Sequence, residues 1–518
     1  MRRPHVIIAA LSVAALSLAA CGGSDSGGSN ASGGGAAAKG GDLVLVRPSD
    51  STDMNNTMVF DNDSIWVFQQ MLESLYQVTK DGTDVEPLLV ESDKLSDDQK
   101  TLTITLKDGI TFSNGDPMTS ADVKFSLDKA RSTKGGWEFL DVAIAKVEAP
   151  DPKTVTITTK YPWAPLKADL ANFNNAILPK DYAGKTADEF YKAPVGTGPF
   201  KWDHWDRGSE LKLVKNKDYW DGEPSLDSVT WKLVGDDNAR ALQLQGGQAQ
   251  INQSPPFSTL DQLKAQQGLK VELFPSTKTD YIMMNEKVKP FDDVHVRRAI
   301  SYAIDRQAIV KTVLFGNGTV GNSLMMPTVP YYDKEAGGQQ YDMEKAKAEM
   351  AQSSVPDGFK TTFLASSGNV DDAGIAQILQ ASLKELGITM EIKNLDPSAA
   401  QEAQQTRDYE ISHSYWTMDI ADPDELITFA VDPDSGAQSF YTGYNNPEVV
   451  KNARDAAKTF DDTERARLYS EVQRQAAEDA FLPTLFYSPF AYAVSDKVKG
   501  FQVYPTGNFH MEDVSLSQ

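Results

Sequence analysis

Ile375-Ala376-Gln377-Ile378-Leu379-Gln380-Ala381-Ser382-Leu383-Lys384-Glu385-Leu386-Gly387-Ile388-Thr389-Met390-Glu391-Ile392 carries the pattern that decides the fold class. Apolar residues recur at helical spacing up to Leu386, Gly387 is placed to end the helix, and a strand follows from Ile388 to Ile392. A helix delivered straight into a strand is the grammar of an α/β protein.

The same grammar extends in both directions. Leu43-Val44-Leu45-Val46 reads as a strand, and Ile65, Phe68, Leu72 and Leu75 recur as the apolar stripe of one amphipathic helix. Leu102, Ile104 and Leu106 alternate with threonines as a half-buried strand, and Thr119-Ser120-Ala121-Asp122 offers an N-terminal cap to the helix that carries Val123 and Leu127. Further strands are expected at Val155 to Thr159, Leu211 to Lys215 and Val229 to Leu233. Between Val294 and Phe315 two helices meet at Asp305, a good N-cap, and Gly316 stands ready to end the second. Helices near Asn446 to Lys458 and Asp462 to Asp479 precede an apolar, strand-like finish.

The first residues fix the expected compartment. Arg2 and Arg3 precede an uncharged run from Val6 to Ala20, too short to span a bilayer but suited to a signal peptide. Leu18-Ala19-Ala20-Cys21-Gly22 resembles the lipobox of bacterial lipoproteins, which implies removal of residues 1–20 and acylation of Cys21, the one cysteine in 518 residues. From there to Gly41 the chain is mostly Gly, Ser and Ala with almost no large apolar residue, the composition of a flexible tether whose reach is roughly 25 Å for about 20 residues. A body anchored to the outer face of the cell membrane, on its periplasmic or cell-wall side, is expected.

Charge narrows the partners. The chain has 73 acidic against 50 basic side chains, net −23, and loss of Arg2 and Arg3 takes it to −25, which argues against a nucleic-acid surface. With its cysteine assigned to lipid, the mature chain has no internal disulfide, and stability must come from burial in a chain long enough for two or more domains.

Ordered motifs then carry a family resemblance. They begin with Asp81-Gly82, Glu86-Pro87-Leu88, Ser96-Asp97-Asp98, Phe112-Ser113-Asn114-Gly115 and Thr119 to Val123. Val195-Gly196-Thr197-Gly198-Pro199-Phe200 with Asn216-Lys217-Asp218-Tyr219-Trp220 follows, then Asn285, Pro290-Phe291-Asp292-Asp293 and Val296 to Arg306. The series resembles the extracellular solute-binding protein family 5, the dipeptide-, oligopeptide- and nickel-binding group. The resemblance implies an α/β, two-lobed periplasmic-binding-protein-like fold with an extra subdomain inserted in lobe I. On that pattern residues 42–72, 195–277 and 488–518 form lobe I, 73–194 the inserted subdomain, and 278–487 lobe II. It also implies a monomeric receptor that hands a small ligand, a short peptide for preference, to the permease and ATPase subunits of an ABC importer.

The run Tyr409-Glu410-Ile411-Ser412-His413-Ser414-Tyr415-Trp416-Thr417-Met418-Asp419 resembles the family's G-W-x-x-D segment. In peptide-binding members the aspartate of that segment receives the ligand's α-ammonium group, and Asp419 stands at its position. Trp416 matches the motif tryptophan, whereas Tyr415 replaces the small residue usual before it. A buried ammonium needs a fixed counter-charge, and a charge-assisted hydrogen bond contributes roughly 1.5–3 kcal/mol. The candidate ligand-binding residues are Asp419, Trp416, Tyr415, Thr417, His413, Phe60 and Asn62, the last two from a loop that leads into a helix. His413 lies near where some oligopeptide binders place a basic residue for the peptide carboxylate. Competing structural roles are a helix N-cap for Asp419, core packing for Trp416 and a satisfied core or surface position for His413.

Enzyme motifs are thin. Ser126-Leu127-Asp128-Lys129 matches S-x-x-K, but no companion Lys-Thr-Gly occurs and Ser126 sits in an amphipathic helix. Gly184-Lys185-Thr186 mimics the end of a P-loop, yet Pro179 stands where the first glycine should be. His204, His295, His413 and His510 are scattered, so no cofactor and no dedicated metal site are expected. The alternatives to a peptide receptor are a receptor for a metal chelate or oligosaccharide, and an exported enzyme or binding module that serves no transporter.

Overall fold

Burial of Leu43, Leu45, Val46 and Arg47 on both faces fits Asp42–Arg47 as the inner strand of a seven-stranded sheet. The computed structural model describes residues 40–517; the signal segment, Cys21 and nearly all of the tether lie outside the described residues. Asp42–Arg47 runs parallel to Ser228–Leu233 and Ile251–Gln253, and antiparallel neighbours extend the sheet on both sides. Its strands come from three distant stretches of chain: Asp42–Arg47, the strands between Phe200 and Phe274, and Phe490–Ser495.

A second sheet of six strands is built from Lys278–Met284, Thr319–Val320, Lys360–Ser366, Thr389–Leu395, Ile411–Thr417 and Thr484–Tyr487. Helix Val370–Lys384 joins the parallel pair Lys360–Ser366 and Thr389–Leu395, since parallel neighbours need a crossover. Its Ile375, Leu379 and Leu383 pack with Val296, Ala299 and Ile300 of helix Val294–Ala303 in one apolar core. Burying each such side chain contributes about 1.5–3 kcal/mol.

Between the first two pieces of the seven-stranded sheet lies a four-stranded antiparallel sheet, Val90–Leu95, Thr101–Leu106, Thr154–Thr159 and Ile144–Asp151. Helix Ser120–Ser132 covers it through Val123 and Leu127. Asp122 accepts the Thr119 backbone N–H at 2.8 Å and so closes the helix start from within. No described helix is long and apolar enough to cross a membrane.

One helix differs from its periodicity. The stripe Ile65, Phe68, Leu72, Leu75 predicts a continuous helix, but the helix is Asn62–Phe68. Beyond it the Val195–Phe200 segment captures the backbone: Gly198 N–H donates to the Met71 carbonyl at 2.9 Å and Phe200 N–H to the Gln70 carbonyl at 3.0 Å. A Cβ on Gly196 would stand 2.0 Å from the Met71 oxygen, so the approach requires glycine. Leu72 and Leu75 are buried in two different apolar clusters, and their helical spacing is incidental.

Candidate functional site

Strand Ile411–Thr417 lies inside the six-stranded sheet, between Lys278–Met284 and Lys360–Ser366, and its C-terminal end runs directly into Met418 and Asp419. The turn beyond it is fixed by Glu425, which is fully buried at the start of helix Asp424–Val431. One Glu425 oxygen accepts the Trp416 indole N–H at 2.9 Å; the other accepts the backbone N–H groups of Asp419 at 2.8 Å and Ile420 at 3.1 Å. Three donors on one carboxylate leave the turn little freedom.

This network frees the Asp419 side chain. The helix that follows has Pro423 at its N-cap, and Asp422 accepts the Asp424 N–H, so the helix-cap role open to Asp419 in the sequence is not the one it plays. Asp419 is 8 % exposed, and its carboxylate has no hydrogen-bond or cationic partner among the described residues. Burial, and then the Glu425 charge, push its pKa well above the ordinary carboxylate value; burial lifts Glu425 to about 8 against the pull of its three donors.

Asp419 faces a cavity of about 360 Å³, within the size range of small-molecule sites. Phe60, Asn62, His413, Tyr415, Trp416, Thr417 and Asp419 all line this one cavity. Phe60 stacks on Trp137 with ring centroids 4.9 Å apart, and Trp137 stands 6.0 Å from Trp416, which packs in turn on Phe429 at 4.2 Å. Aromatic walls of this kind offer apolar area at low entropic cost. Tyr415 is half exposed, whereas Trp416 and Thr417 are buried; the Thr417 hydroxyl has no hydrogen-bond partner.

His413 borders the cavity but is engaged on both ring nitrogens: Nδ1 meets Asp372 at 2.7 Å and Nε2 meets Asp280 at 3.1 Å. Burial alone would lower its pKa, but the hydrogen bonds and charges of the two aspartates prevail and lift it to about 9, so the ring is charged at neutral pH. Asp280 also meets the Lys278 ammonium at 3.3 Å, and Lys278 lies over the Tyr415 ring at 4.6 Å. The charges of His413 and Lys278 are therefore held inside the protein.

Several lining residues escape a reading by sequence. Trp137, Phe440 and Tyr441 join the aromatic wall, and Asn369, Asp372 and Gln404 the polar one. Asn369-Val370-Asp371-Asp372 carries a usable cap signal, since the Asn369 side chain accepts the N–H groups of Asp371 and Asp372. Gln438, Ser439, Phe440 and Tyr441 all take positive φ, a strained turn with no local signature. Ser126, the S-x-x-K serine, is structural: its hydroxyl donates to the Asp122 carbonyl and accepts the Leu178 N–H, both at 2.8 Å.

Two α/β sheets with an aromatic cavity ending on an unpaired buried carboxylate define a two-lobed solute-binding protein. Residues 84–438 match the family described as bacterial extracellular solute-binding proteins, family 5 Middle, and the chain belongs to that family. It is 33 % identical over 478 residues to the probable D,D-dipeptide-binding periplasmic protein DdpA of Escherichia coli K12, covering 89 % of this chain and 92 % of that one. Among solved structures, DppA of Helicobacter pylori in complex with the peptide STSA superposes with a TM-score of 0.84 at 28 % identity, covering 93 % of this chain and 99 % of DppA. The oligopeptide-binding protein AppA of Bacillus subtilis, in complex with a nonapeptide, gives 0.83 at 27 % identity, covering 93 % and 100 %.

Proposed function

We propose that this protein is the extracytoplasmic receptor of an ABC importer, capturing short peptides by their α-ammonium group at Asp419 and delivering them to a membrane permease. The observation that carries the reading is a buried carboxylate without a partner, facing a cavity of about 360 Å³. Leaving such a group unpaired costs several kcal/mol, and a ligand ammonium supplies the missing charge. The peptide ligands named for DdpA, DppA and AppA support the same ligand class. Trp416, Tyr415, Thr417, Phe60 and Asn62 form the walls in this reading, while His413 holds Asp280 and Asp372 in place. The lobe boundaries at 72/73, 194/195, 277/278 and 487/488 are part of the proposal, supported by which sheet each strand joins. So is the acylated Cys21 anchor on a signal-cleaved, monomeric chain, supported by the lipobox-like Leu18 to Gly22.

The test is calorimetry with a free-amine peptide and its N-acetylated counterpart. Asp419→Ala weakens the free-amine peptide by about 3–5 kcal/mol, a hundred- to several-thousand-fold. The acetylated peptide binds the wild type poorly and is much less sensitive to the substitution. Equal binding of the two peptides by the wild type defeats the ammonium assignment.

A further inference from the structure

A free peptide brings a carboxylate as well as an ammonium, and among the described residues the cavity offers it no cation that is not already paired. Among the described residues no lysine or arginine lines the cavity of about 360 Å³, whose ionisable lining residues are Asp372, Asp419, His413 and two tyrosines. His413 is closed on Asp372 and Asp280, and Lys278 on Asp280, as described above. On the opposite side Arg47 faces Asp50 at 3.3 Å and Asp63 at 3.9 Å. Behind Asp419 a second cavity of about 70 Å³ is lined by Glu73, Glu512 and His510, with no lysine or arginine, and His510 meets Glu512 at 2.7 Å. His413, Lys278, Arg47 and His510 are each paired, while the Asp419 and Glu425 carboxylates have no cation among the described residues. Of the lining amides, Gln404 is already committed, donating to the Ser412 hydroxyl and the His413 carbonyl.

We infer that the site selects ligands of net positive charge, meaning amine-bearing peptides whose carboxylate is masked or outnumbered by basic groups. The inference rests on the ammonium reading of Asp419 and specifies what the rest of the ligand carries. A ligand carboxylate entering this cavity loses water without gaining an ion pair, and lies where the acids Asp280, Asp372, Asp419 and Glu425 outnumber the cations His413 and Lys278. Removing that carboxylate removes the penalty and leaves the ammonium contact intact. Like-charge juxtaposition across an interface is a strong discriminator between otherwise similar ligands.

Three probes separate the possibilities: trialanine, trialanine amide and N-acetyl-trialanine, titrated calorimetrically into the full-length mature protein at neutral pH. The expected result is that the amide binds at least about tenfold tighter than the free acid, while the N-acetyl peptide is lost. If the N-acetyl peptide is still lost but the amide binds more weakly, a protein group reads the carboxylate, and if the amide binds equally the carboxylate is not sensed at all. Net-charge selection is then overturned while the ammonium reading stands. If the N-acetyl peptide binds like the free acid, the ammonium reading fails and this inference with it. Failure of all three to bind overturns both, because both require that an amine-bearing peptide enter the cavity. Raising the salt concentration should narrow the gap between amide and acid, as expected for a preference set by field rather than shape.

Discussion

Asp419 and Glu425 are two buried carboxylates that share one turn, and neither has a cation among the described residues. Both hold their proton more tightly than an ordinary carboxylate, Glu425 up to about 8, so the empty site carries bound proton at neutral pH. An arriving ammonium favours the ionised form and expels that proton. Binding of a free-amine peptide should therefore tighten as pH rises from about 5.5 to 7.5, before the ligand's own amine, with a pKa of about 8, begins to lose its charge. Titrations at pH 7 in buffers of different ionisation enthalpy should differ by the heat of releasing up to about one proton per site; identical heats would remove the argument. His413 gives a second prediction at this scale. His413→Gln leaves Asp280 and Asp372 buried without their shared cation and should cost about 3–5 kcal/mol of folding stability, read by urea unfolding. The folded pKa of about 9 exceeds the unfolded value of about 6.5, so the histidine's contribution is complete below about pH 6.5 and lost as pH rises through about 9. The stability gap between wild type and variant should shrink over that window, and a gap independent of pH would show that the ion pairs are not its source.

At the scale of elements, helix Val370–Lys384 shows both the reach and the limit of reading a sequence. Its C-terminal half was legible because Ile375 to Leu386 is periodic and Gly387, with φ +74°, ends the segment. Its first turn was not, because Val370-Asp371-Asp372-Ala373-Gly374 has no apolar stripe and Val370 is 75 % exposed. That turn is held by the Asn369 cap and by two aspartates favoured at a helix N-terminus, and it places Asp372 against His413. Asn369→Ala should cost about 0.5–2 kcal/mol of stability in urea titrations, and a neutral result would mean that the cap is redundant. The segment Trp416 to Asp419 was legible as a site because strand and turn residues are contiguous in sequence. Trp137 was not, since its place against Phe60 is set by a contact between distant segments. Gly136 admits that contact: a Cβ there would lie 2.0 Å from the Thr57 carbonyl oxygen. Gly136→Ala should displace Trp137 at a cost of about 1–3 kcal/mol and weaken ligand binding, whereas alanine at Gly135 meets no atom within 4 Å and strains only the backbone, where φ is +80°. Equal binding by the two variants would dissociate Trp137 from the ligand wall.

Across the whole molecule, the chain passes between the two large sheets at two short neighbouring segments. One joins strand Leu269–Phe274 to Lys278–Met284, the other Thr484–Tyr487 to Phe490–Ser495. The two crossings are tied together where the Ser276 hydroxyl donates to the Ser488 carbonyl. Short, paired crossings are where a few residues can absorb a change in φ and ψ while the packed sheets stay rigid. The cavity takes Phe60 and Asn62 from one side of these crossings and Tyr415, Trp416, Thr417 and Asp419 from the other, so a ligand touching both walls binds a closed arrangement more tightly than an open one. Such a ligand moves the population only by its differential affinity for the two arrangements. Small-angle scattering of the protein should therefore show a smaller radius of gyration and a shortened distance distribution when it is saturated with a free-amine peptide. The Asp419→Ala variant at the same peptide concentration should keep the ligand-free profile. If scattering is unchanged at a saturation confirmed by calorimetry, the two sheets move as one body and the site is filled without closure. If the variant closes as the wild type does, the closing energy comes from the aromatic walls and not from the ammonium contact.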